Sequence, residues 1–225
     1  MGSERQKRDD ATRHIAGKFA LRGHAKSHTL VSSDQKPYCD DPVRIYRQTD
    51  PKSERRTIEV SFWAPCRKCE KCLQYRQLKW RDLALAEIQR SNRSWFVTLT
   101  FSPVHLVGVE FESLKCKGRD KMAQVDQAAY RHCQRYIKRL RKAGAVFRYL
   151  AVFELGEKTD RPHYHLLLHE TGARPILKRT IEDNWRSHVH ARLVAKGADG
   201  AASYITKYAT KSLSVRLRSS QAYGK

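Results

Sequence analysis

The stretch Arg161-Pro162-His163-Tyr164-His165-Leu166-Leu167-Leu168 decides how the rest of this chain is interpreted. Two histidines flank one aromatic residue, and the apolar run that follows predicts a buried β-strand. Side chains two residues apart on a strand point to the same face, with their backbones about 7 Å apart. His163 and His165 are therefore able to bind one metal ion together, while Tyr164 packs into the opposite face of the sheet.

A second signal is the segment Tyr204-Ile205-Thr206-Lys207-Tyr208, which predicts two tyrosines on one helical face. A phenol has a pKa of about 10, so it needs a base, a nearby cation or a metal-activated phosphate to act as a nucleophile. Lys207, and Lys211 one turn beyond it, are candidates for stabilising a phenolate or the developing phosphate charge. Two core-packing tyrosines are the alternative, and the histidine pair upstream favours the nucleophiles.

A third metal ligand is expected from the strand that precedes the histidines. Residues 147–154 predict this strand, and residues 155–161 predict the turn of a hairpin. Glu154 fits if the strand register places it on the histidine face, and Glu157 in the turn is the alternative. Two imidazoles and a carboxylate leave positions free for phosphate oxygens, which suits Mg²⁺ or Mn²⁺. Such an ion polarises a scissile phosphate.

The charge of the chain favours a polyanionic partner. Its 225 residues include 45 Lys and Arg against 23 Asp and Glu, a net charge of +22. Nucleic acid is the first expectation from this excess, and an anionic membrane surface is the second. Because there is no run of about 20 apolar residues and no apolar signal core at the N-terminus, we expect no membrane span and a cytoplasmic location.

The hydrophobic pattern predicts strands and helices along most of the chain. Strands are predicted over 57–63, 95–101, 147–154 and 163–169, and helices over 73–88, 125–142, 179–186 and around 204–208. Residues 103 to about 123 are predicted as a loop, and residues 187–196 receive no assignment. We divide the chain into a disordered basic arm (1–36), a cysteine-rich element with a helix (37–92), a core (93–215) and a basic tail (216–225).

Three cysteines at two-residue gaps, Cys66, Cys69 and Cys72, lead directly into a predicted helix. Thiolates with this spacing suit a tetrahedral Zn²⁺, and Cys39 is the best candidate for a fourth ligand. The alternative is that these cysteines fill small gaps in the core. The sequence therefore predicts a structural zinc site as one of two interpretations.

The predicted helix over 125–142 carries six Lys and Arg residues against one acid, Asp126. Such an imbalance favours contact with DNA phosphates. Aromatic residues near the site, among them Trp95, Trp185 and Tyr149, are able to stack on bases if they are exposed. The candidate DNA-binding residues are Arg131, Arg135, Lys138, Arg139 and, after the tyrosines, Lys211.

Taken together, these residues resemble the HUH endonuclease superfamily. More narrowly, the chain resembles replication initiators of gokushovirus-like microviruses, which are small circular single-stranded DNA phages. The matching landmarks are Pro65-Cys66-x-x-Cys69-x-x-Cys72, a helix around Trp80, Phe96-Val-Thr-Leu-Thr-Phe101, Arg139-Leu-Arg-Lys142, Glu154-Leu155-Gly156, Arg161-Pro-His-Tyr-His165 and Tyr204-Ile-Thr-Lys-Tyr208.

The resemblance implies an α+β fold with a central antiparallel β-sheet and flanking helices, extended by the small cysteine-rich element on its N-terminal side. The His-hydrophobic-His motif is then on a middle strand, with the tyrosine helix near the metal. Carried over by position, His163 and His165 are metal ligands, Glu154 is the third ligand, and Tyr204 and Tyr208 are nucleophiles.

The implied activity is initiation of rolling-circle replication. The enzyme nicks single-stranded DNA at a viral origin, forms a 5′-phosphotyrosine and a free 3′-hydroxyl, and later rejoins the strands, with host helicase and polymerase as expected partners. Two alternatives stay open: an HUH relaxase or transposase with the same chemistry, and a non-catalytic zinc-containing DNA-binding protein.

Overall fold

The computed structural model describes residues 29–33, 36–49, 58–118, 120–156, 161–197, 199–211 and 216–225, and the side chains of 29–33, 46–49, 58–60 and 208–211 lie outside this description. Most of the predicted arm, residues 1–28, lies outside the described residues. The chain divides into two compact units: residues up to Pro37 with Pro42–Pro65, and Tyr38–Asp41 with Cys66–Lys225. The predicted cysteine-rich element is thus shared between the units, and its four candidate zinc ligands all belong to the second.

The first unit contains a three-stranded sheet. Strand β1 (Thr29–Ser33) is parallel to β3 (Ile58–Ala64), and β2 (Val43–Thr49) pairs with the other edge of β3 in the antiparallel sense. The guanidinium of Arg44 lies over the ring of Trp63, 5.3 Å from its centroid, in a cation–π contact. The sequence predicted the central strand of this sheet, whereas β1 occupies the end of the predicted arm.

The second unit is built on a five-stranded sheet. Its strands are β4 (Ser94–Thr100), β5 (Phe147–Leu155), β6 (Pro162–Glu170), β7 (His188–Val194) and β8 (Arg218–Ser219). They lie in the order β7-β4-β6-β5-β8, and every neighbouring pair is antiparallel. The histidine strand β6 is therefore in the middle of the sheet. The predicted α+β class, with a central antiparallel sheet, is confirmed.

Helices cover both faces of this sheet. The helices of the described residues are α1 (Glu70–Arg90), α2 (Pro103–Ser113), α3 (Lys121–Lys142), α4 (Lys178–Asp183) and α5 (Asp199–Lys211). On one face, the hydroxyl of Tyr164 donates to the backbone carbonyl of Asp126 on α3 at 3.1 Å. On the other face, Tyr204 of α5 contacts the ring of His165, and α1 packs against α5. Within the described part of the chain, no helix is long and apolar enough to cross a bilayer.

Two helix boundaries differ from the prediction. Helix α3 begins four residues before the predicted start because the side chain of Asp120 caps it, accepting from the backbone N–H of Ala123 at 2.8 Å. The loop predicted over 103–123 is wrong for 103–113, where Pro103 at the first turn starts α2. Four large apolar side chains on or just after α2 are exposed. The apolar residues of α2 therefore do not form the single buried stripe that marks an amphipathic helix in a sequence. The four exposed side chains are Val104, Val107, Phe111 and Leu114.

The C-terminal residues, predicted as a basic tail, pack onto the sheet. The guanidinium of Arg218 makes two hydrogen bonds of 2.7 Å to the buried carboxylate of Asp126 on α3. Tyr223 is buried, and the backbone N–H of Gly224 donates to Glu87 of α1 at 2.7 Å. These contacts join the end of the chain to helices on both faces of the sheet.

Candidate metal and tyrosine site

The strand register brings the three predicted metal ligands to one face of the sheet. Glu154 on β5 lies directly opposite His163 on β6, and His165 follows two residues later. The imidazole Nε2 of His165 is 2.6 Å from Oε2 of Glu154, and both side chains are largely buried. The two imidazole rings have centroids 6.4 Å apart and lie 23° from parallel. The alternative ligand, Glu157, lies outside the described residues.

Two threonines of the neighbouring strand β4 orient the imidazoles. The hydroxyl of Thr98 lies 3.1 Å from Nδ1 of His165, and that of Thr100 lies 2.8 Å from Nδ1 of His163. With Nδ1 engaged, Nε2 of each ring is the nitrogen directed to a ligand. Burial, reinforced by the nearby His165, lowers the pKa of His163, which favours the neutral imidazole that a metal requires. Sequence reasoning missed both threonines because they form no motif with the histidines.

The turn after β5 approaches His163 closely. The backbone N–H of Gly156 donates to the carbonyl of Arg161 at 2.9 Å. A Cβ atom at position 156 would lie 3.0 Å from Nε2 of His163, tighter than normal van der Waals contact. Glycine here leaves room for the imidazole at the position the sheet gives it.

One tyrosine of the predicted pair stands beside the histidines. The ring of Tyr204 lies edge-on to the ring of His165, with centroids 5.4 Å apart, and it also contacts Phe96. The Tyr204 side chain is 40% exposed, so the phenol is accessible from solvent. The ammonium of Lys207 lies 5.9 Å from the centroid of the Tyr204 ring. Tyr208 and Lys211 are in the α5 backbone, but their side chains lie outside the described residues.

Strand β7 extends the histidine face by three exposed side chains that the sequence analysis did not assign. His188 pairs with Thr100 and His190 pairs with Thr98, so both point to the same face as the central histidines. Arg192 follows two residues on, with its guanidinium 5.2 Å from the ring centroid of Phe96. The signal was present as a second His-x-His alternation. As an exposed edge strand, β7 lacks the apolar run that marks the others.

The predicted zinc ligands also converge. The sulfurs of Cys39 and Cys69 are 3.8 Å apart, and those of Cys66 and Cys72 are 4.0 Å apart. Among the described residues, this quartet is the one group of three or more potential ligands whose donor atoms all lie within 4.8 Å of one another. A hydrogen bond from the backbone N–H of Lys68 is the main cause that lowers the pKa of Cys66 to about 6.

The predicted DNA-binding residues of α3 lie on the opposite side of the sheet from the histidines, because α3 covers the Tyr164 face. Arg131 and Lys138 are exposed. Arg135 lies 3.3 Å from a carboxylate oxygen of Glu112, and Arg139 donates to a backbone carbonyl of the α4 end at 2.8 Å. The structure therefore does not bring these cations to the histidine and tyrosine site.

The aromatic residues considered for base stacking are buried. Trp95 donates to Glu170 at 2.7 Å, Trp185 donates to the carbonyl of Thr100 at 3.1 Å, and Tyr149 packs in the core. All three rings are buried, so the condition of exposure on which base stacking depends is not met.

Comparison with known proteins places the chain in the class of phage replication-associated proteins. A family model described as Replication-associated protein ORF2/G2P matches residues 94–213, more than half of the chain, and the chain belongs to this family. The matched region runs from β4 through α5 and contains the histidines, Glu154 and both tyrosines. The four clustered cysteines lie outside it.

Three curated relatives agree with this family. The chain is 33% identical over 177 residues to Replication-associated protein ORF2 of Spiroplasma virus 4, covering 70% of this chain and 51% of the relative. It is 27% identical to Replication-associated protein VP4 of Bdellovibrio phage phiMH2K (68% and 50%) and 26% identical to Replication-associated protein ORF4 of Chlamydia phage 1 (68% and 39%). The chain thus spans about half or less of the length of these relatives. No solved structure matches it.

Proposed function

We propose that this protein is an HUH-type nickase and strand transferase that initiates rolling-circle replication on single-stranded phage DNA. The observation that carries the proposal is the convergence of an acid, two imidazoles and a phenol on one face of the sheet. Glu154 contacts His165 at 2.6 Å, and the ring of Tyr204 stands edge-on to the same imidazole. The charge of +22 supports a nucleic-acid substrate.

The chemistry of the donor set suits a divalent ion such as Mg²⁺ or Mn²⁺, although the donor atoms of the three residues do not all lie within 4.8 Å of one another. His163, His165 and Glu154 would hold the ion, with positions left for phosphate oxygens. Bound there, the ion would supply Lewis-acid polarisation of the scissile phosphate. Thr98 and Thr100 hold the imidazoles in the rotation that directs Nε2 to this point.

The nucleophiles in this proposal are Tyr204 and Tyr208. The phenolic oxygen of one tyrosine attacks the phosphorus, and the bond from phosphorus to the 3′ oxygen breaks. The phenol loses its proton and the departing 3′ oxygen gains one, leaving a 5′-phosphotyrosine and a free 3′-hydroxyl. Lys207 supplies positive charge beside the Tyr204 ring. The second tyrosine would later attack the phosphodiester of the regenerated junction in the same way and release a second 3′-hydroxyl. That hydroxyl would attack the first phosphotyrosine, rejoin the strand and release the first tyrosine as a phenol.

The exposed cations are proposed to guide the DNA. Arg192, on the same face of the sheet as the histidines, would contact DNA near the reacting groups, with its guanidinium 5.2 Å from the ring centroid of Phe96. Lys211, which follows the tyrosines in sequence, is a second candidate. Arg131 and Lys138 on the far face are suited to more distant duplex or to a strand passing the sheet edge. Recognition of a replication origin, and cooperation with a host helicase and polymerase in the cytoplasm, are part of the same proposal.

The test uses a random single-stranded DNA library with Mn²⁺ or Mg²⁺. Oligonucleotides labelled at the 3′ end should transfer their label to a protein band that survives denaturation, while those labelled at the 5′ end should not. Sequencing of the captured DNA identifies the nick site by its shared 5′ end. A chelator should abolish the adduct.

Matched variants separate catalysis from binding. Tyr204→Phe combined with Tyr208→Phe should abolish the adduct with binding retained, whereas Tyr75→Phe, on the exposed surface of α1, should not alter it. A relaxase or transposase would also form the adduct, but its captured ends would not map to a replication origin. If the double variant and the wild type give equal adduct yields, the tyrosines are not the nucleophiles and the nickase proposal is refuted. If the wild type binds DNA but forms no adduct, the result favours the non-catalytic zinc-containing DNA-binding protein.

A further inference from the structure

Four cysteines surround one point at the start of helix α1, outside the region that the replication family model matches. Cys39 comes from the short segment Tyr38–Asp41, Cys66 and Cys69 come from the turn before α1, and Cys72 comes from its first turn. Cys39 is 27 residues from Cys66 in sequence, yet all four cysteines belong to one compact unit. Such convergence of thiols from separate segments does not follow from helix formation itself.

The distances fit a single tetrahedral ion. Four sulfurs at about 2.3 Å from a central Zn²⁺ lie about 3.8 Å from one another. The measured separations of 3.8 Å for Cys39 to Cys69 and 4.0 Å for Cys66 to Cys72 match that edge length, and all sulfurs are within 4.8 Å of one another.

The backbone around the cysteines is arranged to receive thiolates. The N–H of Cys66 donates to the sulfur of Cys39, and the N–H of Cys69 donates to the sulfur of Cys66, each at 3.3 Å. Arg67, which follows Cys66, has a φ of 65°, in the left-handed region. The turn that contains it brings the backbone N–H of Cys69 to the sulfur of Cys66. Hydrogen bonds from N–H groups stabilise negative charge on sulfur, so the turn is organised for charged ligands.

Other uses of these cysteines fit less well. A disulfide needs its sulfurs about 2.05 Å apart, and all four cysteines are free thiols. Core packing does not explain the cluster, because Cys39, Cys66 and Cys69 are only partly buried. The sulfurs lie within 4.8 Å of one another, a spacing that suits one tetrahedral ion.

We propose that Cys39, Cys66, Cys69 and Cys72 bind one structural Zn²⁺. The ion would hold the segment Tyr38–Asp41 against the start of α1. Two surface contacts join the same two parts of the chain. Lys71 of α1 pairs with Asp40 at 2.5 Å, and its ammonium lies 5.0 Å from the ring centroid of Tyr38. Exposed ion pairs contribute little to stability because solvent screens them, so these contacts do not replace the metal.

The zinc site supports the catalytic region through α1. This helix packs against α5, which carries the two tyrosines, and its buried Glu87 accepts from Arg148 of β5 at 2.6 Å. Release of the ion should loosen the first turns of α1 and, through it, the position of α5. The zinc proposal itself does not depend on the nickase proposal, because its ligands and its geometry are separate.

The test is the metal content of the full chain, purified without chelators after growth with zinc in the medium. Elemental analysis should find about one Zn per chain. Cys69→Ser should reduce this to below about 0.1, while Cys116→Ser, a buried cysteine outside the cluster, should leave it unchanged. Because Cys69→Ser could fail to fold, the wild-type protein is also exchanged with Co²⁺. Thiolate charge-transfer bands and visible bands of tetrahedral cobalt should then appear, and Zn²⁺ should displace them.

The outcomes are decisive without any DNA. A folded wild-type protein with no bound metal, with iron in place of zinc, or with a disulfide among the four cysteines overturns the proposal. Zinc at about one per chain together with no covalent adduct refutes the nickase proposal and supports the zinc proposal. A covalent adduct formed by protein without bound zinc refutes only the zinc proposal.

Discussion

Acid should destabilise this protein through one buried histidine. His169 lies at the far end of the histidine strand and is completely buried, with Nδ1 at 2.9 Å from the hydroxyl of Ser94 and Nε2 at 2.8 Å from the hydroxyl of Tyr223. Burial, with a further contribution from the nearby Arg148, lowers its pKa from 6.5 to about 3. The folded protein therefore keeps this imidazole neutral where the unfolded chain does not.

The size of the effect follows from the two pKa values. Above about pH 6.5 neither state binds the proton, and His169 adds no pH dependence. As the pH falls below 6.5, the unfolded chain binds a proton that the folded protein refuses, so stability decreases until the folded pKa is reached near 3. A pH of about 5 lies about 1.5 units below the pKa of the unfolded chain. The free energy of unfolding is therefore lower there by about 2 kcal/mol than at neutral pH.

The assay is urea unfolding followed by tryptophan fluorescence at about pH 7.5, 6 and 5, in wild type and His169→Gln. The variant loses hydrogen-bond geometry and should be less stable at neutral pH, but the wild type should lose about 2 kcal/mol more than the variant between about pH 7.5 and 5. His190→Gln, which removes an exposed histidine from β7, is the control and should follow the wild type. Parallel pH curves for wild type and His169→Gln would refute the reasoning.

Three further predictions address the site and its support. Thr100→Val should weaken Mn²⁺ binding about 10-fold or more by calorimetry, because His163 loses the hydroxyl that orients it, and Thr100→Ser should restore the affinity. Gly156→Ala should lower the adduct yield about 10-fold because the added methyl group displaces His163, with a change of about 1 kcal/mol or less in the free energy of unfolding. An unchanged yield would contradict the claim that position 156 sets the position of His163. Asp126→Ala should destabilise the fold by about 3 kcal/mol or more in urea, because the guanidinium of Arg218 stays buried without its partner, and a loss under about 1 kcal/mol would contradict this.

The central strands, and the face that their histidines share, were predictable because their signals are local. The aromatic and apolar residues that dominate β4, β5 and β6 favour strands, and the two-residue alternation within β6 places His163 and His165 on one face. The spacing of three cysteines at the start of α1 is a similarly local signal. For these elements, residues that are close in sequence determine the secondary structure and the spacing of the candidate ligands.

The remaining features depend on long-range packing. Whether Glu154 shares the histidine face is decided by the pairing of β5 with β6, which a local pattern does not specify. Thr98 and Thr100 act only because β4 lies beside β6 in a particular register. The basic helix α3 was identified, but its location on the opposite face of the sheet follows from the Tyr164 contact, which is not visible in its own charge pattern.

The covalent bond to DNA is the most direct test of the central claim. Adducts formed with Mn²⁺ are digested with nuclease and protease, and the peptide that carries residual nucleotide is sequenced by mass spectrometry. The account predicts a nucleotide linked through its 5′ phosphate to Tyr204 or Tyr208. A modification on any other residue, or no modified peptide at all under conditions where the DNA is cut, would contradict it.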